Sequence, residues 1–203
     1  MIRRAAEEIA TFFVKKGVIE EKERDVYTYG SELLVSETIS MLLVLSIGLY
    51  VGKILETVIY LFTYIVIRVY AGGYHASSHR KCITIFSICY GGVLCTIEML
   101  YHFKSLDILC IVTFVAIIII FLLAPVEDIR KPLSREEVYI YRKKTRKRVL
   151  LLGIFAIILI RIFPQLKDEI SYGLLAICEI SLLLLVGYIK NKRLFYQKRM
   201  MMY

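Results

Sequence analysis

Runs of Leu, Ile, Val and Phe recur along the chain at lengths near the roughly 20 residues that a helix needs to cross a bilayer. Six such runs read as membrane spans, at about 33–51, 54–70, 82–101, 106–124, 149–163 and 170–189. The fifth is short, ends at Pro164 and contains Arg161. Helix-breaking residues fall between the runs. Gly52-Lys53 separates the first two, Pro125 closes the fourth, and Pro132 lies in the longest loop. The first 20 residues follow another pattern. Ile2, Ala5, Ala6, Ile9, Phe12 and Phe13 recur at helical spacing, opposite Arg3, Arg4, Glu7, Glu8 and Lys15. This stretch is too charged for the apolar core of a signal peptide. It predicts an amphipathic helix that lies in the membrane interface or packs on a cytosolic loop. The expected fold is therefore all-α: a polytopic membrane protein with about six transmembrane helices and an N-terminal amphipathic interfacial helix. One domain over 1–203 accounts for the pattern, with an N-terminal region 1–32, spans within 33–189 and a basic tail 190–203. No internal repeat interrupts it.

Composition strengthens the membrane reading. Hydrophobic residues make up 58% of the chain, against about 45–50% in soluble domains. Charge then supplies an orientation. Lysine and arginine number 22 in the N-terminal region, the loops 71–81 and 125–148 and the tail, against three in the opposite loops. The positive-inside rule puts both termini on the cytoplasmic side. Within the longest loop, Ser134-x-x-Glu137 is a capping-box pattern, so a helix is expected to start near Arg135 and run into the fifth span. Arg142, Lys143, Lys144, Arg146, Lys147 and Arg148 crowd one short stretch of that helix. Such a cluster holds a loop at the cytoplasmic face and touches anionic lipid, or it docks an acidic partner. Nucleic acid is not an expected partner, because the charge lies beside the bilayer and no phosphate-binding loop accompanies it.

The stretch RVYAGGYHASSHRKC, residues 68–82, gathers two of the three histidines, two adjacent glycines and a cysteine between two apolar spans. Cys82 opens a span directly after Arg80 and Lys81, where cations and a helix N-terminus favour a thiolate. An imidazole such as that of His75 works as base and then acid near neutral pH. A Cys–His pair suffices for acyl transfer. In one continuous helix, residues seven apart stand about 10.5 Å apart along the axis, so the pair can meet only if the chain turns back. Gly72-Gly73 and Ser77-Ser78 supply residues suited to that bend. Other readings stay open on the residues alone. His75 is a solvated loop group and Cys82 a packing residue in one; in another, His75, His79 and Cys82 form an H-x3-H-x2-C metal array. The other four cysteines, 89, 95, 110 and 178, lie within apolar runs and read as buried thiols.

Two motifs, in order, resemble those of the accessory gene regulator protein B (AgrB) family. The first is Arg68…Gly72-Gly73-Tyr74-His75-Ala76…Cys82. The second is Ala124-Pro125…Lys131-Pro132-Leu133. The likeness extends to length, span number and basic loops. It implies a membrane-embedded cysteine endopeptidase of Gram-positive quorum sensing, working at the cytoplasmic side of the plasma membrane without a cofactor or metal. Its implied substrate is a small AgrD-type precursor peptide, whose C-terminal tail is cut off through an enzyme thioester. The peptide's own cysteine then closes a thiolactone ring. His75 and Cys82 match the catalytic pair, and Arg68, Gly72, Gly73, Pro125, Lys131 and Pro132 match motif positions that shape the site or position substrate. The basic cluster becomes a dock for an acidic precursor tail, and a homodimer is compatible with the family. Carboxylates inside the spans (Glu37, Glu56, Glu98, Asp107 and Glu179) are functional candidates in their own right. Glu37 is expected within reach of Arg68 or His75. The competing function is a transporter or exporter that uses these carboxylates.

Overall fold

The computed structural model describes residues 2–74, 76, 78–102, 106–127 and 133–200, without side-chain detail at 106 and 194–200. Among the described residues are seven α-helices: α1 Ile2–Lys15, α2 Arg24–Tyr50, α3 Ile54–Ala71, α4 His79–His102, α5 Leu106–Leu123, α6 Arg135–Ile162 and α7 Lys167–Met200. The expected all-α fold is the one found. α2, α3, α4 and α7 are long and apolar enough to cross a bilayer. The apolar part of α5, Asp107–Leu123, is slightly shorter. α6 starts where the capping box predicts, with Ser134 Oγ accepting the Glu137 amide and the Glu137 carboxylate accepting the Ser134 amide. Its cationic first half runs unbroken into the fifth apolar run. Leu42, Phe62, Phe114, Leu151 and Leu182 are exposed on different helices, a distribution that hydrocarbon solvates and water does not.

The chain forms two compact units. The first contains residues 1–47 and 76–90. Here α1 buries Ala6 and Ala10, α2 buries Ser36, Ser40 and Val44, and α4 buries Phe86 and Tyr90, each set at a four-residue repeat. Thr11 accepts from Arg24 at 3.1 Å, and the Phe13 and Tyr27 rings meet edge to face, fastening α1 to the start of α2. The amphipathic α1 thus has a packed side within its own unit, while Phe12 and the cations Arg3, Arg4 and Lys15 stay exposed.

The second unit contains residues 48–75 and 91–203. α7 is its centre, buried almost continuously from Ile170 to Ser181 and in contact with α3, α5 and α6. A helix that is apolar all round must be surrounded. Small residues let neighbours approach it: Gly173 faces Thr63 and Ile59 of α3, and Gly153 of α6 faces Ile117 and Ile177. The buried carboxylate of Glu179 accepts a 2.6 Å hydrogen bond from the fully buried Tyr60 hydroxyl. That bond offsets part of the cost of placing a polar group among apolar helices.

Candidate functional site

The motif that ends α3 is held open by its own residues. Helical geometry stops at Ala71, and α4 begins at His79, so 75 and 82 do not share one continuous helix. Gly72 and Gly73 both have positive φ, 66° and 117°, a conformation that L side chains avoid. Space excludes side chains there as well, since a Cβ on Gly72 would strike the Val126 carbonyl and one on Gly73 the Arg68 guanidinium. Arg68 donates to the Gly72 carbonyl with one guanidinium nitrogen, and with the other to the Tyr74 carbonyl at 2.6 Å. A planar fork can hold two carbonyls of one loop in this way.

The second motif packs against the first. The Val126 amide donates to the Ala71 carbonyl at 2.9 Å, and the Gly73 amide to the Val126 carbonyl at 3.0 Å, forming a two-residue parallel bridge between Gly72 and Val126. Pro125 introduces a difficulty that the fold answers. Proline has no N–H, so the Phe121 carbonyl, four residues earlier, lacks its helical donor. Arg146 of α6 supplies one, with Nε at 3.2 Å and a terminal nitrogen at 2.8 Å, while its guanidinium lies over the Phe121 ring. Arg148 likewise donates to the Val66 carbonyl of α3 at 2.7 Å and stacks on Tyr70. Lys144 also lies over Tyr70. The basic cluster is therefore divided. Arg146 and Arg148 bind backbone, and Arg142, Lys143 and Lys147 keep exposed side chains.

α7 closes this frame from a third side. The Tyr74 amide donates to the Leu183 carbonyl at 2.9 Å. Asn191 Nδ2 donates to the Glu127 carbonyl at 2.7 Å, and the Glu127 carboxylate accepts the Leu133 amide at 3.2 Å. Lys190 places its ammonium 4.8 Å from the Tyr74 ring centre. His75, Lys131 and Pro132 lie outside the described residues.

In the first unit, Cys82 sits in the first turn of α4, at the end of the stripe that continues through Phe86 and Tyr90. Its thiol is half-buried and not in a disulfide. Ser78 caps this helix: its carbonyl accepts the Cys82 amide at 3.0 Å, and its hydroxyl lies 3.4 Å from the Lys81 amide. One carboxylate anchors that end. Glu32 of α2 meets His79 Nε2 at 3.2 Å and stands 3.9 Å from Arg3 Nε, so α1, α2 and the start of α4 share it. Glu37 is half-buried on α2 in the same unit.

Sequence reasoning missed Glu32 and His79 as an anchoring pair, the backbone carbonyls that Arg146 and Arg148 hold, and the involvement of Leu183, Gly187 and Asn191. A signal existed for Arg146, because a proline just after a helix leaves a carbonyl in need of a donor. Nothing in the sequence of α7 distinguished its loop-facing stripe, which runs from the apolar stretch into the basic end of the helix.

Comparison with known proteins gives these motifs a context. Residues 6–192 match the family described as Accessory gene regulator B. The AgrB-like protein 2 of Clostridium perfringens strain 13 is 31% identical over 158 residues, covering 75% of this chain and 70% of the relative. An AgrB-like protein of Clostridium perfringens strain SM101 matches to the same extent. No solved structure matches the chain. With apolar helices of spanning length and a family match over nearly all its residues, the chain is a multi-pass membrane protein of the accessory gene regulator B family, with a role in the accessory gene regulator quorum-sensing system.

Proposed function

We propose that this protein is a cysteine endopeptidase that removes the C-terminal tail of an AgrD-type precursor peptide. Cys82 is the nucleophile and His75 the general base and acid. The observation that carries this reading is the frame around the residue before His75. Arg68, the glycine pair and Val126 fix the backbone of Gly72–Tyr74, which is the preorganisation a catalytic imidazole needs. The first turn of α4 adds support, since exposed helix-terminal dipoles and nearby cations favour a thiolate at Cys82.

The chemistry balances without a cofactor. His75 takes the Cys82 proton, and the thiolate attacks the scissile carbonyl. The imidazolium returns that proton to the departing amine, leaving the N-terminal part of the peptide as a thioester on Cys82. A cysteine thiol within that part then attacks the thioester. Its proton ends on Cys82 as the ring closes, so one thioester replaces another and no external energy source is required. A site at the bilayer surface, on the cytoplasmic side of a Gram-positive plasma membrane, limits hydrolysis of the acyl group. The exposed Arg142, Lys143 and Lys147 suit an acidic precursor tail or anionic lipid headgroups, and a homodimer is compatible with the reading.

Mass spectrometry of the protein in lipid with a candidate precursor tests the proposal. A released tail and an acyl adduct on Cys82, both absent in Cys82→Ala and His75→Ala, are expected. Cleavage that survives Cys82→Ala refutes the mechanism. A transporter is the second reading, for which the buried Tyr60–Glu179 pair is the relevant observation; transport that needs Glu179 but not Cys82 would favour it.

A further inference from the structure

α7 carries a stripe that none of the motifs includes. Leu183, Gly187 and Asn191 follow one another at four-residue spacing, which puts them on one face of the helix. Each meets a piece of the two motifs. The Leu183 carbonyl accepts the Tyr74 amide. Gly187 lies directly beneath the same peptide unit: a Cβ there would stand 2.7 Å from the Tyr74 nitrogen and 2.8 Å from the Gly73 carbonyl carbon. Those distances are shorter than van der Waals contact, and the opposing atoms are backbone, so they cannot swing aside. Asn191 reaches over to the Glu127 carbonyl, one residue beyond the Val126 that bridges to Gly72. Gly187 is itself buried. The contact surface between α7 and the loop is therefore backbone against backbone.

We infer that Gly187 and Asn191 are positioning residues for His75: through the Gly73–Tyr74 peptide and the Glu127 carbonyl they set where the chain enters residue 75. The inference rests on the proposed peptidase reading for its consequence in catalysis, and on geometry alone for the clamp. Gly187 acts by lacking a side chain. Any substituent lifts the Gly73–Tyr74 peptide off α7 and loosens the Tyr74–Leu183 hydrogen bond. Asn191 acts as a donor that a carboxylate cannot replace. Neither residue touches the reacting atoms.

The test uses the full chain in lipid nanodiscs with two readouts. One is deuterium exchange in peptides covering residues 68–82, and the other is precursor cleavage resolved into kcat and KM. The variants are Gly187→Ala, Asn191→Asp, which removes the donor at nearly constant volume, and Asn191→Gln, which keeps it. Gly153→Ala, in α6 where Gly153 packs on Ile117 and Ile177, serves as a packing control. Gly187→Ala is expected to speed exchange in this segment and lower kcat, each roughly tenfold, the scale of one hydrogen bond, with KM nearly unchanged. Asn191→Asp follows it, Asn191→Gln recovers most of the loss, and exchange along α5 stays at the wild-type level. Wild-type exchange in Gly187→Ala and Asn191→Asp overturns the clamp. Faster exchange with unchanged kcat, or losses matched by Gly153→Ala, overturns the positioning role. If the wild type leaves every precursor intact, the peptidase reading fails, and exchange still decides whether α7 holds the loop.

Discussion

Replacing Arg68 by lysine isolates geometry from charge. The native guanidinium holds the Gly72 and Tyr74 carbonyls at once, using two nitrogens fixed in one plane. An ammonium keeps the positive charge but is a compact point, and from the end of a flexible stem it can satisfy one carbonyl well. The variant thus loses one charged hydrogen bond, worth about 1.5–3 kcal/mol. That changes the ratio of pinned to released loop by about 10- to 150-fold. Because the loop leads into His75, the loss should fall on the chemical step. Single-turnover cleavage of a precursor by Arg68→Lys is expected to slow at least roughly tenfold, while KM moves little. Arg68→Ala is expected to be worse, leaving both carbonyls without this donor. An Arg68→Lys enzyme that cleaves at the wild-type rate would refute the idea that the fork, rather than the charge, orders the loop.

Arg146→Ala leaves the Phe121 carbonyl without its side-chain donor and should lower stability by about 1–3 kcal/mol, read as a fall in the thermal midpoint in lipid. Arg142→Ala and Lys143→Ala, whose side chains are exposed, should leave the midpoint unchanged and weaken precursor binding in a salt-dependent way. Gly153→Val drives a branched side chain towards Ile117, whose Cδ1 already lies 2.6 Å from the Cβ position, and should cost about 1–3 kcal/mol of stability by overpacking. Lys53, in the turn between α2 and α3, donates to Glu56 at 3.1 Å, and that hydrogen bond raises its pKa above the usual 10.5. A raised cation pKa stabilises the fold below the ordinary value and ceases to do so as pH climbs through the folded value. The midpoint difference between wild type and Lys53→Gln should therefore stay flat from about pH 7 to about pH 10 and shrink above that.

The helices were legible because hydrophobic run length and punctuation are local properties. Gly52 and Pro164 mark breaks that the fold keeps, and the Ser134–Glu137 capping box located the start of α6 to the residue. The end of the second span was legible too, expected at about residue 70, and α3 ends at Ala71. What holds the Gly72–Tyr74 backbone was not legible, because it depends on residues distant in the chain. Val126 bonds Ala71 and Gly73 across some fifty residues, and Leu183 bonds Tyr74 across more than a hundred. A cluster of six cations reads as one feature in sequence. Only the rotation of α6 separates Arg146 and Arg148, which turn to carbonyls, from Arg142, Lys143 and Lys147, which stay exposed. The pairing of His79 with Glu32 was not legible either, because Glu32 belongs to another helix.

The dependence of the Gly73–Tyr74 peptide on α7 has a consequence for biogenesis. The ribosome makes Tyr74 about a hundred residues before Leu183, Gly187 and Asn191. At about 5–20 residues per second, that interval lasts roughly 5–20 s. Through it the first three spans can enter the membrane with the loop between α3 and α4 unsupported by its final contacts. Maturation of the loop is then a post-insertional event, gated by arrival of the last helix. A nascent chain stalled before α7 would carry every residue of the glycine–histidine–cysteine signature and still lack the surface on which that signature is set.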